Sequence, residues 1–192
     1  MRTVFLDRDG VINQKAAPGE YVTRPKDLIL LPKVSRAIKA LNSTGWRVVV
    51  VTNQRGVALG RMSLQDVTRV HDQLMELLRV AGAALDAIYV CPHEIGSCHC
   101  RKPDVGLFLQ AERDFGPIHF ESAYIVGDSA TDIAAGKRLG ATTILLTDQL
   151  ATIEGSSARP EYVAGSLYEA VITHILPTRA PSNSPSGWLL GR

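Results

Sequence analysis

The chain has 192 residues, of which 45% are hydrophobic, and a formal net charge of +2. That length suits a single domain with a sizeable core and room for a small insertion or tail. The near-neutral charge argues against nucleic acid or an anionic membrane surface as partner. No apolar run approaches the roughly 18 residues needed to cross a bilayer, and the few residues before Asp7 are too short for a secretory signal. A cytoplasmic protein is expected, and a monomer, since no extended apolar face stands out.

Taken in order, the chain opens on a short apolar run, Val4-Phe5-Leu6, that ends in Asp7-Arg8-Asp9-Gly10. The run reads as a buried strand. Asp7 and Asp9 are two residues apart, so in extended geometry their side chains point the same way and Arg8 points elsewhere. Two carboxylates this close repel unless a cation or a shared proton intervenes; taken alone, the stretch reads equally well as a solvated Asp/Gly turn. Residues 13–25 form a polar loop, in which Gly19-Glu20-Tyr21 lies close enough in sequence to the aspartates to wall a pocket. Pro32 suits a first helical turn, and Val34, Ala37, Ile38 and Leu41 recur at helical spacing up to Gly45.

Residues 46–51 form an almost wholly apolar second strand, expected to be covered on both faces, and it ends at Thr52-Asn53-Gln54-Arg55. Ser63 and Asp66 read as a capping box with Asp in place of Glu, starting a helix that closes at Gly82. A third strand over 85–90 runs into the segment 91–103. A helix over 104–115, a strand over 122–126, Gly127-Asp128-Ser129, a helix over 131–139 and a strand over 142–146 follow. Tyr162-Val163 and a helix over 166–176 complete a domain of residues 1–176. The Pro/Ser/Gly-rich residues 177–192 read as a disordered tail.

Alternating strands and helices predict an α/β fold, a doubly wound parallel sheet without a large cap. Such sheets bind ligands beyond the carboxyl ends of their strands. Here those ends carry Asp7 and Asp9, Thr52 and Asn53, and Asp128, while Arg101 and Lys102 follow the segment that leaves the third strand. This combination suits phosphoryl transfer. Converging carboxylates make an oxygen-lined pocket for Mg²⁺, which screens a phosphate from an attacking carboxylate. An Asp can form an aspartyl-phosphate, a second carboxylate can move protons, and Lys and a hydroxyl can hold the transferring oxygens.

All three cysteines, Cys91, Cys98 and Cys100, lie within ten residues, a poor disulfide framework. Cys91-x-His93 and Cys98-x-Cys100 supply three thiolates and an imidazole, a closed set for tetrahedral, structural Zn²⁺. His99 is the competing ligand; surface thiols are the alternative account. A zinc loop over 91–100 would hold Arg101 and Lys102 beside the aspartates.

These motifs resemble the haloacid dehalogenase superfamily of phosphatases over most of residues 1–150: Asp7-Arg8-Asp9-Gly10-Val11, then Thr52-Asn53-Gln54, then Lys102, then Gly127-Asp128 with Asp132 further on. The resemblance implies Asp7 as nucleophile, Asp9 as general acid and base, and Thr52 and Lys102 as phosphate holders. It implies Mg²⁺ on Asp7, the Asp9 backbone carbonyl and Asp128, with Asp132 as a helix-surface or supporting residue rather than a ligand. The Cys-Arg-Lys-Pro ending of the zinc loop is similar to the subgroup of heptose-bisphosphate and histidinol-phosphate phosphatases. Gln54-Arg55-Gly56-Val57-Ala58-Leu59-Gly60 and Tyr21-Val22 resemble the heptose branch, implying release of the C7 phosphate of a small phosphorylated sugar on the way to nucleotide-activated heptose. By the same resemblance Asn53, Gln54, Arg55 and Ser129 are expected to contact substrate, although Arg55, Leu59 and Ser129 depart from the pattern there. Arg101 is expected to clamp a distal phosphate, since guanidinium binds phosphate bidentately. Histidinol phosphate is the alternative substrate. A nucleic-acid 3′-phosphatase fits the charge poorly, and a zinc-stabilised binding module without turnover would not need the full set of acidic and basic residues.

Overall fold

The computed structural model describes residues 1–147 and 159–177. Strands β1 (Thr3–Leu6), β2 (Arg47–Asn53), β3 (Ala87–Cys91), β4 (Tyr124–Gly127), β5 (Thr142–Leu146) and β6 (Tyr162–Ala164) form one sheet in the order β3-β2-β1-β4-β5-β6. Every neighbouring pair is parallel. Helices α1 (Val34–Ser43), α2 (Leu64–Val80), α3 (Gly106–Phe115), α4 (Ala130–Leu139) and α5 (Leu167–Ala170) connect or follow the strands, and α5 runs on as a π-helical turn over Val171–Ile175. No helix among the described residues is long and apolar enough to cross a membrane. The proposed tail residues 178–192 lie outside the described residues.

The period of two in the strands divides the core. Val4 and Leu6 of β1 and Val48 and Val50 of β2 face α1, α2 and α5 on one side. Phe5, Val49 and Val51 face the other side, with Leu107, Phe108 and Ala111 of α3 and Ala135 of α4. Both faces of the central strands are covered, which is why β2 reads as a continuous apolar run rather than an alternating one. Phe5 anchors the second layer, edge-on to Phe108 at 5.0 Å and stacked on Phe120 at 6.1 Å.

One expectation shifts. The first helix begins at Val34, because Lys33 takes a left-handed conformation (φ 61°) that leaves Pro32 outside the helix. The segment 162–164 forms an edge strand parallel to β5. Glu161 secures its start, accepting hydrogen bonds from the Thr143 backbone and hydroxyl and from Lys137. The capping box at Ser63 and Asp66 forms as read, with Asp66 N–H donating to the Ser63 hydroxyl at 3.1 Å and Ser63 N–H donating to the Asp66 carboxylate at 2.8 Å.

The strand order reverses between β1 and β4, and a crevice opens there at the carboxyl ends. Leu6 pairs with both Val50 and Val126, so Asp7 and Asp128 emerge side by side from adjacent strands. Phe108→Ala is expected to cost about 3–5 kcal/mol in equilibrium denaturant unfolding, since the ring is fully buried against β1.

Candidate active site

Lys102 is the centre of the crevice. Its ammonium, only 3% exposed, lies 2.9 Å from Asp7, 2.6 Å from Asp132 and 2.6 Å from the Val51 carbonyl oxygen, to which it donates. Burial opposes its charge, but Asp132 and Asp7 outweigh burial and raise its pKa. Asn53, at the end of β2, holds the Lys102 backbone from both sides: its amide donates to the Lys102 carbonyl at 3.1 Å and accepts from the Lys102 N–H at 3.1 Å. A loop residue is thereby fixed as firmly as a strand residue.

Burial pushes Asp7 up to about 7, against the pull of Lys102. Burial raises Asp128 too, offset in part by the Lys15 ammonium 2.5 Å from it. Asp9 goes the other way. Burial would raise it, but the Arg8 charge and hydrogen bonds from Asn13, Gln54 and Arg8 hold it below the ordinary carboxylate range. Arg8 spans both Asp9 oxygens at 2.9 Å through one nitrogen, Asn13 donates at 2.9 Å and Gln54 at 2.8 Å. The same Gln54 amide nitrogen lies 2.9 Å from the buried Thr52 hydroxyl. The two acids of the first motif thus sit in opposite electrostatic settings.

Gly10 is required by space as well as by its φ of 85°, since a Cβ there would fall 1.7 Å from an Asp128 oxygen. Gly56 likewise lets the Tyr21 ring pack on the turn after β2. Tyr21 then joins Gly19, Glu20, Lys15, Asp9 and Asn53 around a cavity of about 290 Å³.

The donor set fits a divalent cation. Ligand oxygens of Asp7, Asp128 and Asp132 lie within 4.8 Å of one another. Asp132 is committed to Lys102 and to the start of α4, which leaves Asp7 and Asp128 as available oxygen donors. One Asp128 oxygen is buried with no hydrogen-bond partner, as an acceptor awaiting a cation would be. A second cluster lies at the end of β3, where Cys91, His93, Cys98 and Cys100 bring their ligand atoms within 4.8 Å. Sulfur separations of 3.6 Å (Cys91–Cys98) and 3.4 Å (Cys98–Cys100) are far too long for a disulfide. They suit one tetrahedral Zn²⁺, with His93 rather than His99 supplying the nitrogen.

A HAD-hydrolase-like family model matches residues 99–170. A D-glycero-D-manno-heptose-1,7-bisphosphate 7-phosphatase of Thermosynechococcus vestitus is 37% identical over 91% of this chain and 97% of its own length. The chain belongs to this phosphatase family of haloacid dehalogenase-like hydrolases. A D-glycero-alpha-D-manno-heptose-1,7-bisphosphate 7-phosphatase of Mycobacterium bovis is 40% identical over 72% of this chain and 73% of its own. The crystal structure of D,D-heptose 1,7-bisphosphate phosphatase from B. bronchiseptica, complexed with magnesium and phosphate, superposes with a TM-score of 0.80 at 31% identity, covering 90% of this chain and 97% of that one.

On this family scaffold, several residues read from sequence as substrate contacts are engaged elsewhere. Gln54 is buried and its amide serves Asp9 and Thr52. The Asn53 amide serves the Lys102 backbone, although Asn53 also lines the Tyr21 cavity. Ser129 is held at the start of α4, its backbone N–H and its hydroxyl both donating to the Asp132 carboxylate, the hydroxyl at 2.5 Å. Arg55 pairs with Glu94 of the Cys/His loop at 2.6 Å. Arg101 differs: one guanidinium nitrogen is buried without a hydrogen-bond partner, an unmet donor beside Lys102. Asp132 is 1% exposed, so the helix-surface alternative gives way to a buried support. Sequence reading missed Asn13 and His71. The available signal for His71 was a polar residue inside the apolar stripe of α2, among Val67, Val70, Leu74 and Leu78.

Lys102→Met leaves Asp7 and Asp132 buried without their shared cation. It is expected to lower folding stability at neutral pH by about 3–5 kcal/mol, read from urea unfolding.

Proposed function

We propose that the chain is a phosphatase that removes the C7 phosphate of D-glycero-D-manno-heptose 1,7-bisphosphate through an aspartyl-phosphate. The observation that carries this reading is the meeting of Asp7, Lys102 and Asp128 at one sheet end. It occurs in a chain whose relatives carry that enzyme's name over most of their length.

An Asp7 carboxylate oxygen attacks phosphorus, and the bond from phosphorus to the C7 oxygen breaks. Asp9 gives the leaving oxygen a proton, releasing heptose 1-phosphate. Water then attacks the phosphorus of the aspartyl-phosphate, Asp9 takes back a proton, and the bond to Asp7 breaks to give inorganic phosphate and free Asp7. Asp9 rests as an anion among donors from Arg8, Asn13 and Gln54; an incoming phosphate raises its proton affinity by repulsion and so loads it for the first step. Thr52 and Lys102 hold the equatorial oxygens, where charge spreads in the transition state. Mg²⁺ would be held by Asp7, the Asp9 backbone carbonyl and Asp128, and when bound supplies charge neutralisation between nucleophile and phosphate. The unmet Arg101 donor is the clamp for the distal C1 phosphate. Gly19, Glu20 and Tyr21 close the sugar side of the cavity.

The structural metal is Zn²⁺ on Cys91, His93, Cys98 and Cys100. Closed by four protein ligands, it braces the loop rather than taking part in turnover.

Phosphate release by the purified protein with Mg²⁺ is expected to favour heptose 1,7-bisphosphate over histidinol phosphate by about 10²-fold or more in kcat/KM, and the reverse order overturns the substrate assignment. Asp7→Asn should lower turnover by at least about 10³-fold. Metal analysis should give about one zinc per chain. Cys98→Ser should lose the zinc and lower the melting temperature more than it alters the chemical step, as shown by single-turnover kinetics.

A further inference from the structure

Arg8, between the two aspartates, is 1% exposed and is the largest fully buried side chain among the described residues. A buried guanidinium is tolerated only when its donors are met. On one side it meets Asp9, through one nitrogen at 2.9 Å to each oxygen and a second at 3.3 Å. On the other, its remaining terminal nitrogen lies 3.0 Å from Nε2 of His71, in helix α2. Guanidinium has no acceptor, so Arg8 donates and His71 Nε2 accepts, which places the imidazole proton on Nδ1. His71 is 7% exposed and occupies a place in the α2 stripe where its neighbours Val67, Val70 and Leu74 are apolar. An imidazole there is a poor filler but a good acceptor.

We propose that His71 is a positioning residue for the proton-transfer group Asp9, acting by fixing the guanidinium of Arg8 that spans both Asp9 oxygens. The Asp9 carboxylate is thereby referenced to the body of helix α2. Asn13 and Gln54 complete its orientation from the first loop and from the end of β2. Removing the acceptor leaves one buried Arg8 nitrogen unmet. The guanidinium then rotates toward another partner and turns the carboxylate away from the leaving oxygen. This rests on the reading of Asp9 as general acid.

The test compares kcat/KM for two monoesters. This quantity reports only steps up to transfer of the phosphoryl group to Asp7. 4-Nitrophenyl phosphate expels a leaving group that needs no proton, whereas a primary alkyl phosphate needs one. His71→Leu is expected to lower kcat/KM on the alkyl ester by about tenfold or more and to leave the aryl ester within about twofold. His71→Gln, which keeps an acceptor, is expected to restore most of the alkyl activity. A merely structural role lowers both esters alike; equal losses, or no recovery with His71→Gln, overturn the proposal. His71→Phe, closer in volume, carries the same comparison if the leucine variant does not fold. Any alkyl phosphate that the wild type hydrolyses serves, so failure of the heptose assignment leaves the test intact. Asp9→Asn, run alongside, separates the two roles. If it is selective for the alkyl ester and His71→Leu is not, His71 alone loses its role. If neither is selective, both assignments fall.

Discussion

One ammonium group, sealed under the crevice, makes the carboxylate cluster possible. Asp7 and Asp132 both press against Lys102, and the Val51 carbonyl shares it. Without that charge the end of the sheet would bury repelling anions, an arrangement that folds poorly or protonates. With it, Asp132 is satisfied and removed from competition, and Asp7 stays beside Asp128 with room for a cation between carboxylates. The chemistry and the stability of this region therefore share a single side chain.

The sheet supplies the distances. Because β2, β1 and β4 are parallel and in register, the residues that follow them arrive at one level. The scaffold also explains the contrast between the two aspartates. Asp7 follows the buried strand directly, and its backbone N–H still donates to Val126, so it inherits the strand's dry surroundings. Asp9 has turned away into a ring of donors. Two identical side chains two residues apart are thereby given different proton affinities by geometry alone.

Much of this was legible beforehand, and the reason is periodicity. Apolar runs with polar ends located the strands, and those ends located the crevice. The four-residue sulfur and nitrogen cluster was legible because ligands at period two leave a visible spacing. What was not legible depends on which way a polar side chain turns. Thr52, Asn53, Gln54 and Arg55 are consecutive, yet Thr52 and Gln54 are buried, Asn53 reaches across to Lys102, and Arg55 reaches the Cys/His loop. Alternation along an extended chain separates the first three, but the Lys102 partner of Asn53 and the Asp9 partner of Gln54 come from segments that are 45 or more residues away. Ser129 was ambiguous for a similar reason, since a capping hydroxyl and a substrate-binding hydroxyl occupy the same place in a sequence. His71 was hidden because an amphipathic pattern is read from its apolar members.

The paired hydrogen bonds between Asn53 and the Lys102 backbone also set where this fold can change length. Cys91 lies in register with Asn53 at one end of the intervening segment, and Lys102 is pinned to that same asparagine at the other. Both ends of a ten-residue excursion, residues 92–101, are thus clamped to one point on β2. Such a segment is a closed loop in the topological sense, and residues inserted near Ile95 and Gly96 lengthen it without moving either end. Lengthening such a loop adds only a slowly growing entropy of closure. The Cys/His loop can vary in size and shape, and so remodel the rim of the crevice, while the lysine at its base keeps its place.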